Sequence, residues 1–474
     1  MLFNSNAFYI FLPIVFVIYW LTPPKHRWGV LLVSSYYFYM SANAKYILLI
    51  LLTTAVSYGT ALVIEKTEEQ KKKKLCMGLA LLVCLGLLFF FKYFNFLSSS
   101  VTALLARASI SMSPVTLKLV LPVGISFYTF QTMSYIIDVY WGKVPAQRDF
   151  IAFAAYVTLF PQLIAGPIVL HNEVLPQFED KNNWKINWDN IARGLYMFAA
   201  GLVKKAVIAD TLSGSVSWGY SHLGSGLTSM DAILTMLAYT FQIYFDFSGY
   251  SDMAVGLGKM FGFEFMQNFN YPYISKSVTE FWRRWHISLG SWFREYVYIP
   301  LGGNRVTVPR HLLNLLIVWF LTGLWHGASW NFVVWGLFYG VILITEKYFT
   351  GKILAKLPGA VQTLYTMILV MLGWVLFFSP TLGSALTWIG NMFGQGATGF
   401  MDSQALYLIM RNWLFWVAGI IGSTPFMHLL GKRLVFNEER PHTVLAGCLM
   451  AGLFVLCVAY LVTESYNPFL YFRF

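Results

Sequence analysis

The chain has 474 residues, of which 57% are hydrophobic and only 11% are charged, and its mean hydropathy is +0.60. Soluble domains carry about a quarter charged residues, so this composition excludes a large water-soluble enzyme and indicates a polytopic α-helical membrane protein. A membrane β-barrel is excluded as well, because the apolar runs are continuous rather than alternating. The net charge of +12 comes from Lys and Arg clustered between apolar runs, as in cytoplasmic membrane loops, and predicts no binding of nucleic acid.

The N-terminal part of the chain predicts several membrane-spanning helices. The first apolar run, residues 6–21, has no basic residue before it, and Lys25, His26 and Arg27 follow it directly. Because positively charged flanks stay in the cytoplasm, we predict a retained helix with the N-terminus outside. The charged run 65–74 predicts a solvated cytoplasmic turn, with a lipid-headgroup site as the alternative. Further spans are predicted over residues 44–64, 75–97, 119–141 and 191–212, with a run at 28–40 that is short for a full span and re-entrant or tilted, and with hydrophilic loops over 98–113 and 171–190.

The middle and C-terminal parts contain both complete and interrupted apolar segments. Residues 151–170 include Pro161, Gly166 and Pro167, and such a broken segment at membrane depth needs protein or water to satisfy its backbone groups. We predict spans over 231–247, 332–348, 361–378, 407–421 and 443–463, a short or interfacial helix over 253–265, and a segment too short to cross at 384–393. The predicted fold is all-α and polytopic, with about 10–12 transmembrane helices plus re-entrant or interfacial helices, in a single integral-membrane domain over residues 1–474.

Several common catalytic and metal-binding patterns are missing from the sequence. The four cysteines, Cys76, Cys84, Cys448 and Cys457, lie inside apolar runs without Cys-x-x-Cys spacing, which predicts small buried residues rather than a disulfide or metal site. There is no Gly-x-Ser-x-Gly elbow, no His-Glu-x-x-His zinc motif and no phosphate-binding Walker loop. We therefore predict no bound metal and no bound cofactor.

Residues 281–298 predict one helix whose aromatic residues share a face. Arg283, Arg284 and Arg294 lie off that face. Tryptophan together with arginine marks a membrane interface, whereas arginine also binds phosphate in a bidentate manner. An interfacial anchor and an anchor that also binds an anion both remain open. His286 lies off the same face, with Trp282 and Phe293 near it at helical spacing, and is open to a structural or a catalytic interpretation.

His326 is the clearest candidate for catalysis. The apolar run that begins near His311 would rise about 22 Å before it reaches His326, which places this histidine at membrane depth, and Gly327 then interrupts the helix. An ionisable residue at a helix break inside the membrane is a functional candidate. Desolvation keeps a buried imidazole neutral, and a neutral imidazole can take a proton from a hydroxyl that attacks a thioester. A transporter or channel with His326 in a proton or solute path, or a scaffold that only anchors an envelope-modifying complex, remains an alternative.

Three long strings identify a family resemblance. They are YFDFSGYSD at 244–252, FWRRWH at 281–286 and LWHG at 324–327, and the segments 3–5 and 467–474 fit as well. With these strings the chain resembles the membrane-bound O-acyltransferase family, and within it the branch of alginate O-acetyltransferase membrane subunits. The resemblance covers most of the chain, with the core motifs at about 240–350.

The resemblance implies both a fold and an activity. The fold would be helical, with a central funnel or tunnel, and His326 and His286 would be the family's two motif histidines. The activity would be O-acylation: transfer of an acetyl or other acyl group from a cytoplasmic thioester, acetyl-coenzyme A or a carrier, for O-acetylation of an extracytoplasmic envelope polysaccharide. It implies a separate extracytoplasmic, esterase-like acetyltransferase as partner and a location in the bacterial cytoplasmic membrane, among its lipids. Arg283, Arg284 and Arg294 would bind the donor phosphate. The acceptor stays open among alginate, cellulose, peptidoglycan and other glycans, and D-alanyl transfer to teichoic acid is the related alternative.

Overall fold

The computed structural model describes residues 1–434, 444–463 and 469–470. These residues form α-helices joined by short 3₁₀ and π-helical turns, and none of them is in a β-strand. The helices are α1 (Asn6–Leu21), α2 (Arg27–Asn43), α3 (Ile47–Lys66), α4 (Gln70–Leu88), α5 (Phe94–Arg107), α6 (Ile125–Tyr140), α7 (Phe150–Thr158), α8 (His171–Glu179), α9 (Trp188–Val203), α10 (Asp210–Ser221), α11 (Ser229–Met260), α12 (Val278–Arg284), α13 (Ile287–Phe293), α14 (Val308–His326), α15 (Trp330–Thr345), α16 (Gly351–Leu354), α17 (Gly359–Phe378), α18 (Leu382–Met392), α19 (Ser403–Arg411), α20 (Trp413–Gly422), α21 (Phe426–Leu434) and α22 (Val444–Thr463).

Five stretches of the described chain are long and apolar enough to cross a membrane, and the bent pair α19 and α20 would make a sixth. The five are Pro24–Lys66, Gln70–Arg107, Val308–His326, Trp330–Leu354 and Gly359–Phe378. The all-α polytopic prediction is confirmed, but this number is lower than the predicted 10–12. The difference arises because several predicted spans form short, bent or more polar helices.

Two predicted boundaries are wrong for identifiable reasons. The expected span 231–247 and most of the separate helix expected over 253–265 form one 32-residue helix, α11, which ends at Met260, since the polar and glycine residues between them do not interrupt the backbone ladder. The expected aqueous loop 98–113 is helical as far as Arg107 in α5. The predicted span 443–463 is seen as α22 from Val444 onward, and residue 443 lies outside the described residues. Of the C-terminal motif 467–474, only Phe469 and Leu470 are described.

The first compact unit comprises Met1–Gly194 with Leu257–Met266. Its predicted broken segment is confirmed, because α7 ends at Thr158 and the chain stays irregular until His171. Side chains satisfy the carbonyl groups freed there: the Tyr156 hydroxyl donates to the Val169 carbonyl at 3.0 Å, and the Gln162 amide donates to the Tyr156 carbonyl at 2.9 Å. Protein groups thus replace the helical hydrogen bonds, as a break at membrane depth requires.

The second unit comprises Leu195–Gly256 with the described residues of Gln267–Phe474. Its helices α14 and α15 pack with their backbones in contact, since a Cβ atom at Gly323 would collide with the Phe332 carbonyl, and one at Gly336 with the Trp319 carbonyl. Small residues allow this close approach between membrane helices. All the candidate site residues lie in this unit. The single domain over residues 1–474 stays a prediction.

Candidate active site

His326 is the last residue of α14, as the sequence predicts. The following Gly327 is extended, with φ −164° and ψ 154°, and ends the helix. Phe332 of α15 lies directly against Gly327, where any side chain would overlap its ring. The helix therefore stops at a fixed position and leaves His326 at its C-terminal end.

Three aromatic rings surround the His326 imidazole. The ring centroids of Trp325, Trp335 and Phe377 lie 5.0, 5.0 and 5.2 Å from it, and all three rings stand nearly perpendicular to the imidazole. Only 8% of His326 is exposed. The exposed part faces a cavity of about 20 Å³, whose other lining residues are Ile243, Asp246, Phe247, Trp285, Trp335, Trp374, Phe377 and Leu470. His326 thus lies in an almost closed, largely aromatic environment at the edge of a small space.

His286 interrupts the helix predicted over residues 281–298, so that prediction is wrong. The histidine has φ 46° and ψ 54°, in the left-handed region, and separates α12 from α13. The side chain of Asn268 accounts for the break: its Oδ1 accepts hydrogen bonds from the Ser288 backbone N–H at 3.1 Å and hydroxyl at 2.9 Å. The Asn268 carbonyl also accepts from the Ile287 N–H at 2.9 Å. A segment distant in sequence thus takes hydrogen bonds that a continuous helix would have kept.

The same asparagine determines the tautomer of His286. The His286 Nδ1 lies 3.2 Å from Asn268 Oδ1. An amide oxygen only accepts hydrogen bonds, so Nδ1 carries the proton and Nε2 carries the lone pair. Burial lowers the pKa of His286 to about 3, and the ring is neutral at physiological pH. His286 is therefore a neutral imidazole whose Nε2 can accept a hydrogen bond.

Trp325 lies against both candidate histidines. Its ring centroid is 5.8 Å from that of His286 and 5.0 Å from that of His326. Phe247 also lies against His286, with ring centroids 4.8 Å apart. The two predicted site histidines are brought to one indole by the folding of separate segments.

The three arginines predicted to bind the donor have different surroundings, and their joint role stays a prediction. Arg284 forms an ion pair with Glu280 at 2.8 Å and donates to the Asn270 carbonyl at 3.1 Å, so its guanidinium is held within the protein. Arg294 is exposed at the start of a π-helical turn. Arg283 alone lines a large pocket.

That pocket is basic, and it lies at the N-terminal end of α14. It has a volume of about 660 Å³, and Lys276, Arg283, Lys347 and His311 contribute to its wall. The one carboxylate there, Glu346, already accepts from the Val278 and Thr279 backbone N–H groups at 2.7 and 2.8 Å. Glu346 thus caps the N-terminus of α12. Three basic side chains face one cavity, which is the chemistry of a phosphate site.

A buried charge cluster near His326 was not predicted. The Lys205 ammonium lies 2.6 Å from Asp246 Oδ1 and 2.7 Å from Asp210 Oδ1, and all three side chains are at most 5% exposed. The two carboxylates compensate the buried positive charge of Lys205, as a buried ammonium requires. Asp246 lies within the string at 244–252, and Lys205 lies within an apolar run. Because a charged residue in such a run is costly to bury in a membrane protein, these two charges were the sequence signal that could have predicted the cluster.

A second, larger cleft adjoins the His326 cavity. Its volume is about 1070 Å³, and Phe377 and Leu470 line both spaces. Its wall is rich in hydroxyl and amide groups, including Ser213, Ser217 and Gln404. Across the described part of the chain, no group of three or more His, Cys, Asp and Glu side chains is arranged to hold a metal ion.

Comparison with known proteins identifies the family. Residues 144–378 match the model of the membrane-bound O-acyltransferase family. The probable alginate O-acetylase of Azotobacter vinelandii is 37% identical over 100% of both chains, and the peptidoglycan O-acetyltransferase of Helicobacter pylori is 38% identical over 83% of this chain and 80% of its own. The teichoic acid D-alanyltransferase of Bacillus subtilis is 26% identical over 48% of this chain and 59% of its own. The chain therefore belongs to the membrane-bound O-acyltransferase family and is a multi-pass membrane O-acyltransferase.

Proposed function

We propose that this O-acyltransferase takes an acetyl group from a cytoplasmic acyl thioester and delivers it for O-acetylation of an extracytoplasmic cell-envelope polysaccharide. The relatives named for alginate and peptidoglycan acetylation support this substrate class. The single observation that carries the chemistry is His326 within a wall of aromatic rings beside a small cavity. The bacterial cytoplasmic membrane is the proposed location.

His326 is the proposed general base. Its imidazole takes the proton of the acceptor hydroxyl while the hydroxyl oxygen attacks the thioester carbonyl carbon. The carbon–sulfur bond then breaks, and the leaving thiolate receives the proton from the imidazolium. General-base help of this kind contributes about 10²–10⁴ in rate. His286 is the second proposed catalytic histidine, in its Nδ1-protonated form.

The donor is proposed to enter through the basic pocket. The pocket offers positive charge to the phosphate groups of coenzyme A or of a carrier phosphopantetheine. This charge comes from Lys276, Arg283 and Lys347. Basic residues favour the cytoplasmic side, which fits a cytoplasmic donor. The pocket includes His311. His326 lies fifteen residues further along the same helix, which rises about 1.5 Å per residue. Of the three arginines suggested by the sequence, Arg283 keeps this role.

The acceptor side requires a partner in this proposal. The acetyl group passes to a separate extracytoplasmic acetyltransferase of the esterase-like type, which modifies the polysaccharide. The cleft that shares Phe377 and Leu470 with the His326 cavity is the proposed side of departure. Its hydroxyl and amide groups suit a polar acceptor.

The test measures ester-bound acetyl released by mild base from the envelope polysaccharides of cells. Cells carry the wild type, His326→Ala, His286→Ala or His26→Ala, with the amount of protein in the membrane matched. The exposed His26 serves as control. We expect loss of acetyl with His326→Ala and His286→Ala only. Unchanged acetyl in all variants would overturn the assignment, and release of D-alanine in place of acetyl would favour the teichoic acid reaction.

A further inference from the structure

We propose that the cavity beside His326 limits the length of the acyl group, and that Leu470 is the wall residue that sets this limit. The inference rests on the proposed function, because it concerns the acyl group that His326 transfers. It adds a specificity-determining residue and a positioning residue, Asp246, to the O-acyltransfer reaction.

The size of the cavity supports a short acyl group. Its volume of about 20 Å³ is close to what one or two water-sized groups occupy. The wall is apolar except for Asp246 and His326 itself. A two-carbon acyl group therefore places its methyl in the available space, whereas each further methylene meets side chains. One methylene in a hydrophobic pocket changes the rate by about 10–200-fold.

Most of this wall consists of large rings that pack on one another. The ring centroids of Trp285 and Trp374 are 4.8 Å apart, and those of Trp335 and Phe377 are 5.3 Å apart. Replacing any of these rings would disturb the aromatic core as well as the cavity. Leu470 is different, because it is an aliphatic side chain outside this stack of rings that still lines the cavity, and like Phe377 it also borders the large cleft. Shortening its side chain adds room beside His326 and leaves the rings in place.

Asp246 holds Leu470 in position. The Leu470 backbone N–H donates to Asp246 Oδ2 at 2.9 Å, while Asp246 Oδ1 binds the Lys205 ammonium at 2.6 Å. The neighbouring Phe469 ring lies 4.9 Å from Tyr250 and 4.8 Å from the Lys205 ammonium. One Asp246 oxygen thus binds the Lys205 ammonium, and the other accepts from the backbone of the wall residue Leu470. A wall fixed in this way can discriminate between groups that differ by one carbon, since it does not yield to the larger one.

The experiment compares the two shortest acyl groups in the same cells. Cells that carry the wild type, Leu470→Ala, Leu470→Val, Leu470→Met or His326→Ala are grown with propionate, so that propionyl thioesters accompany acetyl thioesters. Acyl groups released by mild base from the envelope polysaccharides are then separated and counted. We expect the propionyl-to-acetyl ratio to rise about tenfold with Leu470→Ala, to rise less with Leu470→Val, and to stay at the wild-type value with Leu470→Met, which keeps the volume.

The outcomes separate the inference from the proposed function. An unchanged ratio with Leu470→Ala, while His326-dependent acetyl persists, overturns the inference alone. Acyl release that does not depend on His326 overturns the proposed function. If Leu470→Ala fails to reach the membrane, the Leu470→Val variant takes its place in the test. An unchanged propionyl-to-acetyl ratio in Leu470→Val then overturns the inference.

The role of Asp246 has its own test in the same assay. We expect Asp246→Ala to raise the propionyl-to-acetyl ratio although the Leu470 side chain is intact. The reason is that the Leu470 backbone N–H loses the hydrogen bond to the Asp246 carboxylate that holds Leu470 in place. Asp246→Asn keeps an acceptor for the Leu470 N–H and should return the ratio toward the wild-type value. A purely structural role would reduce both acyl groups equally and leave the ratio unchanged, which would overturn the positioning role.

Discussion

The Trp325 indole packs against the His286 imidazole, with ring centroids 5.8 Å apart and the rings inclined at 63°. Because Trp325 directly precedes His326 in α14, this contact connects the break between α12 and α13 to the end of the helix that carries the proposed base. The position of one histidine thus depends on the packing of the other.

The first prediction concerns this contact. We expect Trp325→Ala to lower the maximal rate of acyl transfer by about 10–100-fold, because a small displacement of a catalytic group has effects of this size. The apparent affinity for the thioester should change little. Trp325→Phe keeps a ring and should retain most of the rate. The exposed Trp413 provides the control, as Trp413→Ala, and an equal loss in that variant would argue against a local effect.

The second prediction concerns the basic pocket. Replacing Lys276, Arg283 or Lys347 by Gln should weaken binding of labelled acetyl-coenzyme A to inside-out membrane vesicles, and added salt should reduce the difference from the wild type. Arg294→Gln removes an exposed charge outside the pocket and should have little effect. If Arg294→Gln weakens binding as much as Arg283→Gln, attraction by the whole surface, and not a defined phosphate site, would explain the result.

The third prediction is a pH dependence of stability. Burial lowers the pKa of His286 to about 3 and that of His171 to about 4 from an ordinary 6.5. Between these values the unfolded state binds more protons than the folded state, so stability is complete above pH 6.5 and falls as the pH drops. Each histidine contributes a slope of about 1.4 kcal/mol per pH unit.

Unfolding of the detergent-solubilised protein between pH 7.5 and 5 tests this slope. His286→Gln and His171→Gln should each make stability less dependent on pH, whatever their effect on stability at pH 7.5. The exposed His222, as His222→Gln, should leave the slope unchanged. A wild-type slope in both buried-histidine variants would contradict the prediction.

The fourth prediction concerns the cap of α12. Glu346 accepts from two backbone N–H groups and from the Thr279 hydroxyl at 2.6 Å. Glu346→Ala should destabilise the protein by about 1–3 kcal/mol, because buried donors lose their acceptor, and should weaken donor binding because α12 carries Arg283. Glu346→Gln keeps one acceptor oxygen and should lose less. Thermal unfolding measures the effect, with the exposed Glu68 as Glu68→Ala for comparison; equal losses would contradict the capping role.

The sequence predicted those features that depend on local pattern. The apolar run before His326 and the glycine after it sufficed to predict a helix that ends at this residue. Phe281, Trp285, Leu289, Trp292 and Tyr296, which the spacing placed on one apolar face, are all at most 9% exposed, although they do not belong to one continuous helix.

Features that depend on contacts between distant segments were not predictable in this way. The break at His286 requires Asn268, and no local pattern reveals that this side chain takes the place of helical hydrogen bonds. The grouping of Arg283 with Lys276 and Lys347 around one pocket likewise depends on how α12 packs against the end of α15, and not on the spacing of the arginines in the sequence. The cluster of Lys205 with Asp246 brings together residues 41 positions apart, which only the fold can show.

The hydrogen bonds of Asn268 also bear on the order of events during membrane insertion. Before the segment that contains Asn268 has docked, residues 278–293 have only local partners, and a continuous amphipathic helix at the membrane surface satisfies their backbone groups. Docking exchanges those local bonds for bonds to Asn268 and turns His286 inward. We therefore expect a late step in biogenesis at which residues 278–293 divide into α12 and α13 around Asn268 and the protein first becomes active.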